Sequence, residues 1–397
     1  MIERRSFLFS LAAAGALPAV RSAARAGDSP PIDAALVLSG GGARGAYEAG
    51  FIGELAAVAQ VPDGSPLPPY GLVCGTSIGA LNGWFVATAQ YRKLRELWYG
   101  ISGQDIIALK PQYAALRDPE SGLFDRAAAA VSLIELARNQ SGILQSKPAY
   151  EWIVRNVDPR APLAMPLVWA VTNLSHQRPE YFFVDPEIRS YERREQIARA
   201  LRISLGPQTI VREATPEILH RAIFASVAIP IAFDPVMMPG PSGTIDAYCD
   251  GGVASNSPVG IAHALAGAAD VILLSPPFEP GDPYGDAVEV AFGAFATVQR
   301  KLLEVEMRNT YFQSVGKRAL RRLEPGELAR VTRGNDLLAR YVESIPETEL
   351  RYARPAQALP LGVVAFDDAS GIYDAYRRGW EDAARGFTPY DWETFVL

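Results

Sequence analysis

Two cysteines and three histidines are all that 397 residues hold of two side chains central to disulfide frameworks and zinc sites. No CxxC or HExxH spacing occurs, so neither a zinc module nor a zinc-protease helix is expected, and no metal or other cofactor is called for. Basic charge is also scarce. Lys and Arg number 38 against 44 Asp and Glu, a formal charge of −6. A surface short of cations cannot neutralise a phosphate backbone, so nucleic acid is not expected as a partner. Beyond the first twenty-six residues no run reaches the ~18 uninterrupted apolar residues that crossing the bilayer requires. What remains is globular in composition: 49% hydrophobic and 21% charged, neither disordered nor collagenous. α/β enzymes reach this length around one sheet, so a single large domain is expected.

The N-terminus reads Met1-Ile2-Glu3-Arg4-Arg5-Ser6-Phe7-Leu8, then an Ala/Leu/Gly-rich run to Val20, then Ala24-Arg25-Ala26. A charged start, a short apolar stretch and an A-x-A site are the three parts of a signal peptide. An uncleaved anchor is the alternative, but the apolar run from Phe7 to Val20 is short for a spanning helix. Arg4-Arg5 resembles a twin-arginine export signal, which implies delivery of a folded protein to the bacterial periplasm with cleavage after Ala26. No cysteine near that point supports lipid modification. Four Arg and Glu3 give this leader +3, so a chain starting at Gly27 would carry −9. The expected organisation is a leader (1–26), a core (27–270) and C-terminal helices and loops (271–397) that complete or cap the same domain.

Ala34 to Ser39 is a short apolar run stopped by three glycines, and from Gly45 to Val58 apolar residues recur at helical spacing. A strand, a tight loop and a helix follow from that pattern. Gly71 to Cys74 and Ile78 to Gln90 repeat the strand–helix unit, and two such units argue for a parallel sheet with helices packed on it. Further strands are expected at 167–171, 181–184 and 271–274. Helices are expected around 127–139, 191–205 and 216–225, with one or two long helices over 292–323. Pro and Gly mark long loops at 276–285 and 346–360.

Gly40-Gly41-Gly42-Ala43-Arg44-Gly45 sits between strand and helix and satisfies G-x-G-x-x-G. Dinucleotide binding also needs an acidic residue about 20 positions on, at the end of the next strand. Asp63 has the spacing but lies in a Pro/Gly loop. The better use of this geometry is an oxyanion hole, with glycine amides aimed into open space at a helix N-terminus. Arg44 either adds positive charge there or ties the loop down.

Gly75-Thr76-Ser77-Ile78-Gly79 stands at the second strand-to-helix junction. A nucleophile elbow needs small residues two before and two after its serine because the backbone turns so sharply, and Gly75 and Gly79 supply them. The plain alternative for Ser77 is a helix N-cap. A nucleophilic serine also needs a base. His176 lies in a polar turn, His220 near the end of a helical stretch and His263 in an Ala-rich helix, and each reads best as solvated or structural. Asp250, in Tyr248-Cys249-Asp250-Gly251-Gly252, is the stronger candidate, since Gly251 and Gly252 free the backbone to aim its carboxylate at the serine. Asp-Gly-Gly is also a common turn.

Together the GGGARG loop, the GTSIG elbow and the CDGG turn resemble the patatin-like phospholipase family. Ala170-Val171-Thr172-Asn173-Leu174, Ala225-Ser226-Val227-Ala228-Ile229-Pro230 with Phe233 and Pro235, and Ser257-Pro258-Val259 extend the resemblance over roughly Ala34 to Asp270. It implies an α/β three-layer sandwich with a central, mostly parallel sheet flanked by helices. It also implies hydrolysis of acyl lipid or ester substrates without a metal, and a Ser77–Asp250 dyad with Gly40, Gly41, Gly42 and Arg44 on the oxyanion side. The rivals are an ordinary α/β-hydrolase triad of Ser77, Asp250 and His263, and a non-catalytic lipid-binding protein on the same fold.

Cys74 and Cys249 flank the expected site and read as two small buried residues, a disulfide being the alternative. Arg189, Arg193, Arg194, Arg199 and Arg202, and again Lys317, Arg318, Arg321 and Arg322, form basic helix faces. These are expected to be solvated or to make transient contact with anionic headgroups. The acidic stretch 279–289 fits no calcium loop.

Overall fold

The computed structural model describes residues 32–101, 103–111, 113, 142–186, 191–275 and 287–395. The expected leader, the helical segment 127–139, the loop 276–285 and the side chains of Arg189, Arg193 and Arg194 lie outside the described residues, as does most of the acidic stretch 279–289.

One sheet organises the molecule. Its strands are β1 (Ala34–Leu38), β2 (Tyr70–Thr76), β3 (Leu167–Asn173), β4 (Arg178–Val184), β5 (Ile210–Glu213), β6 (Val236–Pro239), β7 (Ile245–Asp250), β8 (Ala268–Ile272), β9 (Glu349–Ala353) and β10 (Thr388–Pro389). They run in the order β10-β9-β8-β1-β2-β3-β4-β5, with β7 also on β3 and β6 on β7. The middle strands β9-β8-β1-β2-β3 are parallel, while β4 and β7 are antiparallel to β3, β10 is antiparallel to β9, and β5 is parallel to β4.

Side chains of β1 alternate between two cores, Leu36 and Leu38 facing one and Ala35 and Val37 the other, as period two requires of a strand covered on both faces. Helices α1 (Gly45–Val58), α2 (Ile78–Ala87), α3 (Tyr91–Gly100) and α4 (Ser146–Asn156) cover the first face, and α5 (Tyr191–Leu205) covers the second. The chain returns to the first face with α6 (Leu219–Val227) and to the second with α7 (Val259–Leu265) and α8 (Ala287–Arg321). After α9 (Pro325–Thr332) and α10 (Asp336–Ser344), α11 (Ala369–Ala383) closes the first face against α1. This is the expected α/β three-layer sandwich. Helix α2 is buried at every position and apolar but for Asn82, as a helix in mid-core is. No helix among the described residues is long and apolar enough to cross a membrane.

Register along β3 brings distant parts of the chain together. On the edge of β3 that faces β2, Ala170 pairs with Thr76, and the very next residue, Val171, pairs with Asp250 of β7. Strand β7 therefore continues the line that β2 vacates, running the other way. The residue after Thr76 and the last residue of β7 must meet at that junction.

Three local readings change. The stretch 346–360 is not all loop: Glu349–Ala353 is β9, parallel to β8. Its charged residues disguise it, because Arg351 pairs with the buried Asp270 at 2.6 Å. His220 begins α6 rather than ending a helix. Lys317 is not on a solvated face but buried, donating to the Tyr341 carbonyl at 2.9 Å, while Arg321 donates to the carbonyls of Val342 and Ile345. These cations satisfy the C-terminal carbonyls of α10, where positive charge is favoured. Burial pulls the Lys317 ammonium down to about 7.

Candidate active site

Ser77 and Asp250, 173 positions apart, meet at the β2/β7 junction: Ser77 Oγ donates to Asp250 Oδ2 at 2.6 Å. Both are buried. Ser77 adopts φ 54°, ψ −127°, a backbone conformation that non-glycine residues visit only at a cost of roughly 1–3 kcal/mol and that is characteristic of functional turns. It occupies the N-cap position of α2 yet makes no side-chain cap bond, because its hydroxyl is committed to Asp250. The elbow glycines are a matter of space. A Cβ on Gly75 would collide with the Gly79 carbonyl at 2.5 Å, and one on Gly79 would strike the Leu38 carbonyl.

Asp250 is held just as firmly. Its Oδ1 accepts the Gly252 N–H at 2.7 Å, its own N–H donates to the Ala228 carbonyl at 2.9 Å, and Gly251 packs against the Ala170 carbonyl. Desolvation pushes its carboxyl up to about 7, against the opposing pull of the hydrogen bonds from Ser77 and Gly252. A carboxylate poised there is a far better proton acceptor than one at the ordinary value of 3.8. Cys74 and Cys249 are both buried free thiols, with burial raising each pKa, that of Cys249 to about 12.

The glycine loop lies alongside, but its members do different jobs. Gly40 donates its N–H to the Asn256 carbonyl at 3.0 Å, so its amide is already spent. Arg44 donates Nε to the Leu361 carbonyl at 3.0 Å, which makes it the strap that ties the loop down. Burial, then Arg300, lowers the pKa of its guanidinium. Gly40 thus differs from the oxyanion role that the resemblance implied for it, while Arg44 follows the second of its two readings. Gly42, at φ 58°, turns the loop, and a side chain there would run into the Val363 carbonyl. Gly45 packs flat against Ile78 and Trp98. Among the described residues no backbone carbonyl takes the amides of Gly41 or Gly42.

Gly42 and Ser77 open onto an apolar cavity on the first face of the sheet. Of its lining residues only Gly42, Ser77 and Asn82 lack apolar side chains. Asn82 is turned away into bonds with the Gly45 carbonyl, Glu48 and the Trp98 indole. The cavity follows α2 from Ile78 to Phe85, roughly 10 Å at 1.5 Å per residue.

The patatin-like phospholipase family model matches residues 36–263. The chain belongs to the patatin-like phospholipase family. Patatin-like phospholipases are lipid acyl hydrolases, and the matched span carries all three glycine-rich turns described above. Among solved structures, VipD from Legionella pneumophila is similar to this patatin-like chain at 13% identity and a TM-score of 0.38, over 94% of this chain and 72% of that one. No curated protein matches.

No histidine joins this site. His263 is buried with Nε2 2.7 Å from the Tyr341 hydroxyl and Nδ1 3.0 Å from Thr348 Oγ1, and burial lowers its pKa to about 4. His220 meets the Val157 carbonyl, and His176 pairs with Asp246. Asp63 pairs with Arg92, away from the glycine loop. Sequence reading missed Ser226, whose buried hydroxyl accepts the Ser77 N–H at 2.9 Å and donates to the Ala170 carbonyl at 2.7 Å. The signal available was its place in the Ala225–Pro230 segment that carries the family resemblance.

Proposed function

We propose that the protein is a serine carboxylic ester hydrolase acting on acyl lipids. The observation that carries this reading is the 2.6 Å bond from Ser77 Oγ to Asp250 Oδ2 at the mouth of an apolar cavity. The acyl chain lies along α2, which sets the ester carbonyl beside Ser77. As Ser77 Oγ attacks the carbonyl carbon, its proton passes to Asp250, and the carbonyl oxygen becomes an oxyanion facing the Gly41 and Gly42 amides. Fixed amide dipoles at such a position are worth on the order of 10² to 10³ in rate each. When the carbon–oxygen bond to the alcohol breaks, Asp250 returns the proton to the departing oxygen and an acyl-Ser77 remains. Water repeats the sequence: it gives its proton to Asp250, attacks the acyl carbon, and leaves the free acid and a restored hydroxyl.

The same reading includes export to the periplasm with cleavage after Ala26, and transient contact with a lipid surface during substrate uptake. Purified protein lacking residues 1–26, given phospholipids, lysophospholipids, neutral glycerides and short-chain esters, is expected to release fatty acid. Ser77→Ala and Asp250→Ala are expected to release none, and a fluorophosphonate is expected to label wild type but not Ser77→Ala. Equal labelling of the two, or hydrolysis that survives Ser77→Ala, would defeat the proposal.

A further inference from the structure

The turn Ser255–Ser257 touches each part of the site at once. Its Asn256 carbonyl accepts the Gly40 N–H at 3.0 Å, so it braces the glycine loop. Its Ser255 carbonyl accepts Thr76 Oγ1–H at 2.9 Å, one residue ahead of the nucleophile. Ser255 N–H donates to the Gly251 carbonyl at 2.8 Å, one residue past Asp250. Any shift of this turn moves base, nucleophile and oxyanion loop relative to one another.

One side chain from outside residues 36–263 grips it. Glu306 of α8 accepts Ser255 Oγ–H on Oε1 at 2.5 Å and Ser257 N–H on Oε2 at 3.1 Å, so its two oxygens span the turn. Ser255 and Ser257 are buried. The helix that delivers Glu306 is itself fixed by a buried stripe of Leu303, Met307, Thr310 and Ser314. Enclosure pushes the Glu306 carboxyl up to about 8 despite both bonds, so at neutral pH it is largely the neutral acid, and burying so polar a group carries a desolvation cost. A purely apolar contact would hold α8 to the sheet without that cost.

We propose that Glu306 is a positioning residue of the active site, holding the 255–257 turn where the Asp250 carboxylate, Ser77 and the glycine-loop amides are in reacting distance. This rests on the Ser77–Asp250 reading above. Glu306 lies on the second face of the sheet and the acyl cavity on the first, so the effect falls on turnover and not on chain binding.

The test is steady-state hydrolysis of a short-chain ester, together with the rate of fluorophosphonate labelling. Both are measured well below the melting temperature of each variant, on wild type, Ser77→Ala, Glu306→Ala, Glu306→Asp and Glu306→Gln. Misplacing reacting groups by about 1 Å costs on the order of 10²-fold. Glu306→Ala and Glu306→Asp are accordingly expected to lower kcat and the labelling rate by about 10- to 100-fold with KM within about threefold. Glu306→Gln keeps an acceptor for Ser257 N–H and a polar partner for Ser255, and is expected to stay within about fivefold of wild type. If Glu306→Ala does not fold, Glu306→Asp decides. Folded Ala or Asp variants with kcat within about twofold of wild type, or a Gln variant as poor as Ala, overturn the proposal. Wild-type activity no greater than that of Ser77→Ala would instead sink the dyad reading itself.

Discussion

Asp250→Asn should make this protein more stable, and increasingly so as the pH rises toward the range where it works. Burial raises the Asp250 carboxyl from 3.8 to about 7, so above neutrality the folded state carries a charge that the unfolded chain would hold far more cheaply. One pKa unit is worth 1.36 kcal/mol, so the penalty is roughly 4 kcal/mol once both states are ionised. The sign follows from proton binding. Between 3.8 and about 7 the folded state binds the proton more tightly, so stability falls as pH rises across that window and is level above it. Asparagine keeps an acceptor for the Gly252 N–H and an amide for Ser77 Oγ, and never ionises. The stabilities of wild type and Asp250→Asn, read from urea unfolding, should therefore differ by roughly 2 to 3 kcal/mol more at pH 9 than at pH 5. A difference that does not change with pH would show that the carboxylate ionises as easily in the fold as outside it. The argument for Asp250 as a poised base would then be lost. The same value places the acid limb of kcat/KM near pH 7, with activity rising as Asp250 loses its proton.

His263→Ala removes the partner of Tyr341 and Thr348 inside the second core. It should cost about 1–3 kcal/mol in thermal or urea unfolding while leaving kcat per folded molecule within about threefold, whereas a triad histidine would cost 10³ or more. Ser226→Ala strands the Ser77 N–H and the Ala170 carbonyl in a buried site. It should reduce kcat about tenfold or more and destabilise by about 1–3 kcal/mol, with Ser226→Thr restoring part of both in the same assays. Leu81→Trp narrows the cavity along α2, so in a series of p-nitrophenyl esters the preferred acyl chain should shorten by several carbons while activity on the acetate is retained.

The elements that place Ser77 were legible because they obey local rules. β1, α1, β2 and α2 each announce themselves by period and by a glycine stop, and Ser77 sits at a junction where few other structures fit. The meeting of Ser77 with Asp250 was not local: it depends on β7 taking over the edge of β3 at Val171, a register that no residue in either strand advertises. The division of labour inside the glycine loop was hidden for the same reason, since the acceptor that spends the Gly40 amide belongs to Asn256, more than two hundred positions away. β9 escaped notice because Arg351 looks like a loop residue until Asp270 is seen beneath it. Lys317 read as one more charge on a basic helix face and Glu306 carried no sequence signal; only packing reveals that each is turned inward.

The glycine loop is strapped by the Leu361 and Val363 carbonyls, which come from a part of the chain beyond the matched family span. The last third thus works as a mould for turns encoded in the first two. A chain cut near residue 263 would keep the whole matched family span yet lose these carbonyls and the Glu306 bonds, so a complete set of motifs is not by itself a complete site.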